Sequence, residues 1–214
     1  MTEITPATIG RRLIDVSALP NFAFGPRDPI WWGLWLLIAI EGTMFALLAS
    51  TYFYLRGNAT EWPPTGAANA PLWLTIATVV ALLLSVIPTW WAFRAALEFR
   101  LRPIQLGFLL GTILSVVACV FRGLELAKVG YNWNSHAYGS IVWAIYFMHT
   151  FHLVAGTLEN AVMTLLLYKG PIEKKLMPDL RLSVIYWWFV VVSWIPFWAL
   201  ILFDDLLFRN SFVS

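Results

Sequence analysis

Residues 139–168, GSIVWAIYFMHTFHLVAGTLENAVMTLLLY, decide the class of fold. Glu159 is the one charged side chain in that stretch, and His149 and His152 are its imidazoles. The run exceeds the roughly 20 apolar residues a helix needs to cross about 30 Å of hydrocarbon. Working outward, four more stretches of the same character appear at 30–55, 72–93, 104–127 and 183–203. Turn-forming residues separate them: Trp62-Pro63-Pro64-Thr65-Gly66, Arg100-Leu101-Arg102-Pro103, Gly130-Tyr131-Asn132 and Gly170-Pro171. The expected fold is all-α, a polytopic transmembrane bundle of five helices. It divides into a tail at 1–29, one membrane domain at 30–208 and a short tail at 209–214, with no internal repeat and no interdomain linker. Pro88 and Pro196 fall inside two of the spans, where each removes a backbone donor and a kink is expected.

Composition excludes a water-soluble reading. Of 214 residues, 60% are apolar and 12% charged, against about 25% charged in ordinary soluble domains. The single cysteine, Cys119, rules out an intrachain disulfide and a cysteine metal cluster. A net charge of +2 is too small to point to nucleic acid. The first apolar run begins near Ile30, too late and too long for a cleaved secretory signal, so residues 1–29 are read as a polar tail. Trp31 and Trp32 at the start of the first span suit the membrane interface, where amphipathic rings concentrate.

Orientation follows from where the basic residues fall. With five crossings, the N-terminal tail, the second-to-third loop and the fourth-to-fifth loop share one side. That side holds Arg11, Arg12, Arg27, Arg94, Arg100, Arg102, Lys169, Lys174, Lys175 and Arg181. Only Arg56, Arg122, Lys128 and Arg209 remain of the 14 basic residues. The positive-inside rule then places the N-terminus in the cytoplasm and the C-terminus outside.

Ionisable groups inside spans are expensive, on the order of 2.5–3.5 kcal/mol each on insertion scales, and are functional candidates by default. Glu41 lies near mid-depth of the first span beside the small residues Ala39 and Gly42. It fits a proton-relay group, a hydrogen-bonded fastener between helices, or a ligand to a lipid headgroup or metal. Glu125 has Arg122 three residues before it and Lys128 three after, which puts acid and bases on one helix face and makes a local ion pair the economical reading. His149, His152 and Glu159 follow one stripe of the fourth span, with Gly156 between them to admit a close neighbour. Imidazole and carboxylate suit iron, copper or zinc, so this stripe with Glu41 defines an alternative, a self-contained membrane metalloenzyme. Against it, metal sites in helical bundles draw repeated acid and His motifs from several helices, whereas this chain has three histidines, one of them (His136) in a predicted loop. A transporter has less support, because no paired broken helices recur in two halves.

The ordered set of Glu41, Trp62-Pro63-Pro64-Thr65-Gly66, Glu125, Tyr138-Gly139-Ser140, His149-Thr150-Phe151-His152 with Gly156, and Tyr186-Trp187 with Phe189-Val190 and Trp194 resembles subunit III of haem–copper terminal oxidases. The similarity runs over nearly the whole chain and looks like the five-helix form of bacterial cytochrome c and quinol oxidases. The resemblance implies a non-catalytic accessory subunit, without redox centre or metal of its own, in an oxygen-reducing, proton-translocating complex of the bacterial plasma membrane. A mitochondrial inner membrane is the less favoured location. It implies catalytic subunit I, with its haem and copper, and subunit II as partners. Phospholipid is implied as a bound molecule, and support of stability and proton uptake as the role. Glu41, Glu125, His149 and His152 are then expected in a buried polar network, and Trp31, Trp32, Trp62, Arg122 and Glu159 at lipid or interface contacts. One stretch departs from the pattern: Tyr186-Trp187-Trp188-Phe189-Val190-Val191 carries Trp188 and Val191 where the family has His and Asp. The loss of two polar groups points to a divergent branch, including the related protein associated with nitric oxide reductases.

Overall fold

A computed structural model of the protein describes residues 25–26, 28–169 and 176–204. Arg11, Arg12, Arg27, Lys174, Lys175 and Arg209, on which much of the charge asymmetry rests, lie outside the described residues. The elements are α1 (Pro29–Asn58), α2 (Leu72–Leu97), α3 (Leu101–Ala127), α4 (Ala137–Lys169) and α5 (Met177–Phe203), and no strand occurs among the described residues. All five are long and apolar enough to span a bilayer.

Helix ends follow local chemistry more than hydropathy. Asp28 caps α1, accepting from the Ile30 amide at 2.9 Å, and Pro29 occupies the first turn, where its missing N–H has no intrahelical role. The fifth helix begins six residues before the expected boundary, with Pro178 and Asp179 in its first turn. Both residues favour a helix start, and the polar residues that end an apolar run do not end backbone hydrogen bonding. Between α2 and α3 the chain reverses through Phe99, a non-glycine residue at φ 53°, with the Arg100 amide closing on the Ala95 carbonyl at 3.0 Å. Helices α2 and α5 run on through Pro88 and Pro196 respectively.

Two small residues let α2 and α3 pack backbone to backbone. A Cβ on Gly107 would stand 2.6 Å from the Pro88 carbonyl oxygen, and one on Gly111 would stand 2.8 Å from the Thr89 methyl. The pair then packs through α3 on α4 and through α2 on α5, while among the described helices α1 touches α4 and α5 and lies at the edge of the bundle. The centre belongs to α4 and α5, whose Ile145, Leu153, Trp187, Val190 and Trp194 are buried. Large apolar side chains such as Ile40, Leu47, Phe147, Phe151 and Val192 point outward. That inversion of a soluble surface is what hydrocarbon solvent allows.

Candidate functional site

The polar residues inside the bundle assemble into three groups. At the centre, Arg122 and Glu125 are fully buried, and Arg122 Nη1 lies 3.0 Å from Glu125 Oε2. Three residues apart on α3, they share the face that also buries Ser115 and Ala118. Glu125 accepts from Tyr146 Oη at Oε1 (3.1 Å) and from Thr78 Oγ1 at Oε2 (3.1 Å), so α2, α3 and α4 meet on one carboxylate. The guanidinium lies 3.8 Å from the centroid of the Trp194 ring and 5.1 Å from that of Tyr146. His149 completes the group. Its Nε2 sits 3.1 Å from the Val190 carbonyl, which can only accept, so Nε2 carries the proton and Nδ1 accepts from Arg122 Nη2 at 3.5 Å. Both ring nitrogens are thereby committed, and the imidazole lies tilted against Trp194, ring centroids 4.6 Å apart.

The second group sits where α1 leans on α4 and α5. Tyr186 Oη donates to Glu41 Oε1 at 3.2 Å, and His152 Nε2 lies 3.5 Å from the same oxygen. His152 Nδ1 donates to the Met148 carbonyl at 2.7 Å. A neutral ring in that tautomer turns a lone pair toward a carboxylate, so the contact requires a proton on one of the two. Glu41 Oε2 is buried without a partner. Nearby, α1, α4 and α5 enclose a cleft of about 540 Å³ lined by Gly33, Leu37, Glu159, Met163, Asp179 and Ser183, among others.

The third group closes the other end of α1. Asp204, just beyond α5, is 2% exposed; it pairs with Arg56 at 3.1 Å and accepts from Tyr52 Oη at 2.6 Å. Trp62 Nε1 in turn donates to Tyr52 Oη at 3.1 Å. In the adjoining loops Tyr131 Oη donates to Asn69 Oδ1 at 2.6 Å, and burial pushes the Tyr131 phenol above its ordinary range, so it stays a donor at any physiological pH.

Sequence-based expectation and geometry differ in three places. His149, His152 and Glu159, read as one stripe, meet different partners, because α1, α3 and α5 all pack against α4. His149 therefore enters the core against α3 and α5, His152 faces Glu41, and Glu159 lines the cleft. No group of three or more His, Cys, Asp or Glu that could hold a metal occurs among the described residues, and the geometry does not fit the ligand set of the metalloenzyme alternative. Arg122 and Trp62, placed by sequence at lipid or interface contacts, are enclosed by protein, Arg122 because its charge is matched by Glu125 and Trp62 because it packs between Tyr52 and Tyr138. Trp32 stands 53% exposed at the start of α1, its Nε1 on the Pro26 carbonyl, with Trp31 half-buried beside it. Lys128 is exposed at the end of α3, apart from the buried pair.

Sequence reasoning missed Asp204, Tyr146 and Thr78 as members of these groups. Tyr146 precedes His149 by three residues, the same spacing that links Arg122 to Glu125, and that spacing was the available clue. The two departures in α5 are filled by apolar packing: Trp188 stacks on Trp90 at 5.1 Å and donates to Thr89, and Val191 is 1% exposed.

Comparison with known proteins adds an independent line. Residues 18–204 match the family model described as cytochrome c oxidase subunit III. The chain is similar to the cytochrome c oxidase subunit 3 of Bacillus subtilis, at 26% identity over 76% of this chain and 80% of that one. It is similar to that of Trichophyton rubrum at 26% over 80% of this chain and 66% of the other. With that of Triticum aestivum the figures are 27%, 63% and 51%, so the chain spans about half the length of that relative.

Proposed function

Because this chain belongs to the cytochrome c oxidase subunit III family, we propose that it serves as a non-catalytic membrane subunit of a respiratory haem–copper oxidase, packed against a catalytic subunit that holds the haem and copper. The observation that carries this reading is the separation of the candidate ligands. His149 spends both nitrogens on Val190 and Arg122, and His152 faces Glu41. These are buried polar contacts that join helices, not an open coordination site. The test is extraction in mild detergent followed by metal analysis. The chain is expected to co-purify with haem-bearing polypeptides and, once separated from them, to contain no stoichiometric iron or copper. Tightly held metal lost in a His149→Ala/His152→Ala variant would instead establish the metalloenzyme.

Within this role, the cleft between α1, α4 and α5 suits a phospholipid chain, and Glu41 is the group to which we assign support of proton uptake. Glutamine at position 41 can keep its carbonyl at the Oε1 position as the acceptor for Tyr186, so helix packing survives while the exchangeable proton is lost. Glu41→Gln is therefore expected to leave assembly intact and to reduce the number of turnovers the complex completes before inactivating. Equal lifetimes for variant and parent would remove Glu41 from that role.

We assign the chain to the bacterial plasma membrane, which its similarity to the Bacillus subtilis protein supports, with the N-terminus cytoplasmic, which the charge distribution supports. A reporter fused after Ser214 that works only outside the cytoplasm is expected to be active, and one that works only in the cytoplasm to be silent. The reverse pattern overturns the orientation.

A further inference from the structure

At the end of the bundle that carries the α1–α2 and α3–α4 loops, α2, α4 and α5 surround a cavity of about 60 Å³. By this measure a water molecule needs roughly 10–15 Å³, so the space takes several. Its wall mixes polar groups with the apolar side chains of Leu72 and Leu202. Asn69, Thr75, Tyr146 and Trp198 line it together with Ala70 and Ile201, and the Trp198 Nε1 donor is buried without a protein partner. An internal water needs two to four polar partners, and an amide, a hydroxyl, a phenol and an indole N–H supply them.

We propose that this cavity is a hydrated chamber that brings water to Tyr146, and through Tyr146 to the buried Glu125–Arg122 pair, from that end of the molecule alone. Tyr146 Oη donates its proton to Glu125 Oε1 at 3.1 Å and keeps lone pairs to accept from the chamber. Asn69, fixed by Tyr131, forms the chamber's loop-side rim. On the far side the path meets a cation. Thr78 fills the other carboxylate oxygen, the guanidinium is pressed on Trp194, and Arg122 Nη2 meets the lone pair of His149, whose opposite nitrogen is bound to Val190. A fixed positive charge at that point opposes passage of a hydrated proton. Glu125 thus belongs to a dead-end inlet, not to a wire across the membrane. This inference stands on chamber geometry and does not depend on which complex the chain joins.

The test is millisecond hydroxyl-radical footprinting, by radiolysis of water, on the full chain in its native complex in lipid nanodiscs. Radicals born from internal water mark the residues beside it. Tyr146 is 2% exposed and Tyr52 is 0% exposed, so two equally buried tyrosines serve as probe and control. Tyr146 is expected to be oxidised on the order of tenfold faster than Tyr52 and than the similarly buried Trp187. Ala70→Leu, which fills the chamber, is expected to bring Tyr146 down to the control rate in assembled protein. Equal rates for Tyr146 and Tyr52 in the parent chain overturn the proposal, with or without the variant. So does a Tyr146 rate that Ala70→Leu leaves unchanged in assembled protein.

Discussion

Arg122→Leu is expected to destabilise the subunit by about 3–5 kcal/mol, the range for removing one partner of a buried ion pair. The cost arises less from the lost attraction than from what stays behind. Glu125 would remain fully buried, holding Tyr146 and Thr78 and facing no cation, and Trp194 and His149 would lose the flat group that fills the space between them. The measurement is reversible unfolding in mixed detergent micelles, read from tryptophan fluorescence. The double variant Arg122→Leu/Glu125→Leu is expected to recover most of the loss, since paired removal leaves no uncompensated charge. If the single and double variants lose the same stability, the pair is not the organising contact of the core.

Trp187→Ala carries the second large effect, about 3–5 kcal/mol, because a fully enclosed indole leaves a cavity that rigid helices close only in part. Trp187 is 1% exposed, donates from Nε1 to Ser85 Oγ at 3.0 Å, and lies over Gly156, where even a Cβ would stand 3.1 Å from the ring. One side chain therefore ties α2, α4 and α5 together. Trp187→Phe is expected to recover the packing but not the bond to Ser85, leaving a deficit of about 1 kcal/mol. Unfolding midpoints in the same micelles check both values, and a Trp187→Ala variant within experimental error of the parent refutes the assignment.

The contrast between these residues shows how much the sequence carries. Length and hydropathy place all five spans, because a bilayer imposes its thickness on any helix that crosses it. Gly156 announces that something large approaches α4, and Trp187 is that neighbour. Which way each polar residue faces is another matter. His149 and His152 share a stripe, yet only the positions of α1, α3 and α5 decide which histidine meets which partner. Arg122 and Glu125 were legible as a local pair, but their full burial depends on Thr78 and Tyr146 arriving from other helices. Asp204 reads as a terminal acid at the edge of an apolar run. Its enclosure by Arg56, Tyr52 and Trp62 joins the two ends of the described chain across a separation no local pattern encodes. The same holds for α5, whose first turns look like loop until Pro178 and Asp179 are read as starting chemistry instead of interruption.

The place of α1 at the edge has a consequence for biogenesis. Among the described helices it rests on α4 and α5, which leave the ribosome after it. During translation α1 must remain in lipid, or in the care of an insertase, with Glu41 lacking both Tyr186 and His152 until the later helices are synthesised. Ribosome-bound intermediates stalled before α5 would therefore present a first helix free to wander or to be captured by quality-control proteases. Emergence of Tyr186 is the moment at which that helix gains an anchor.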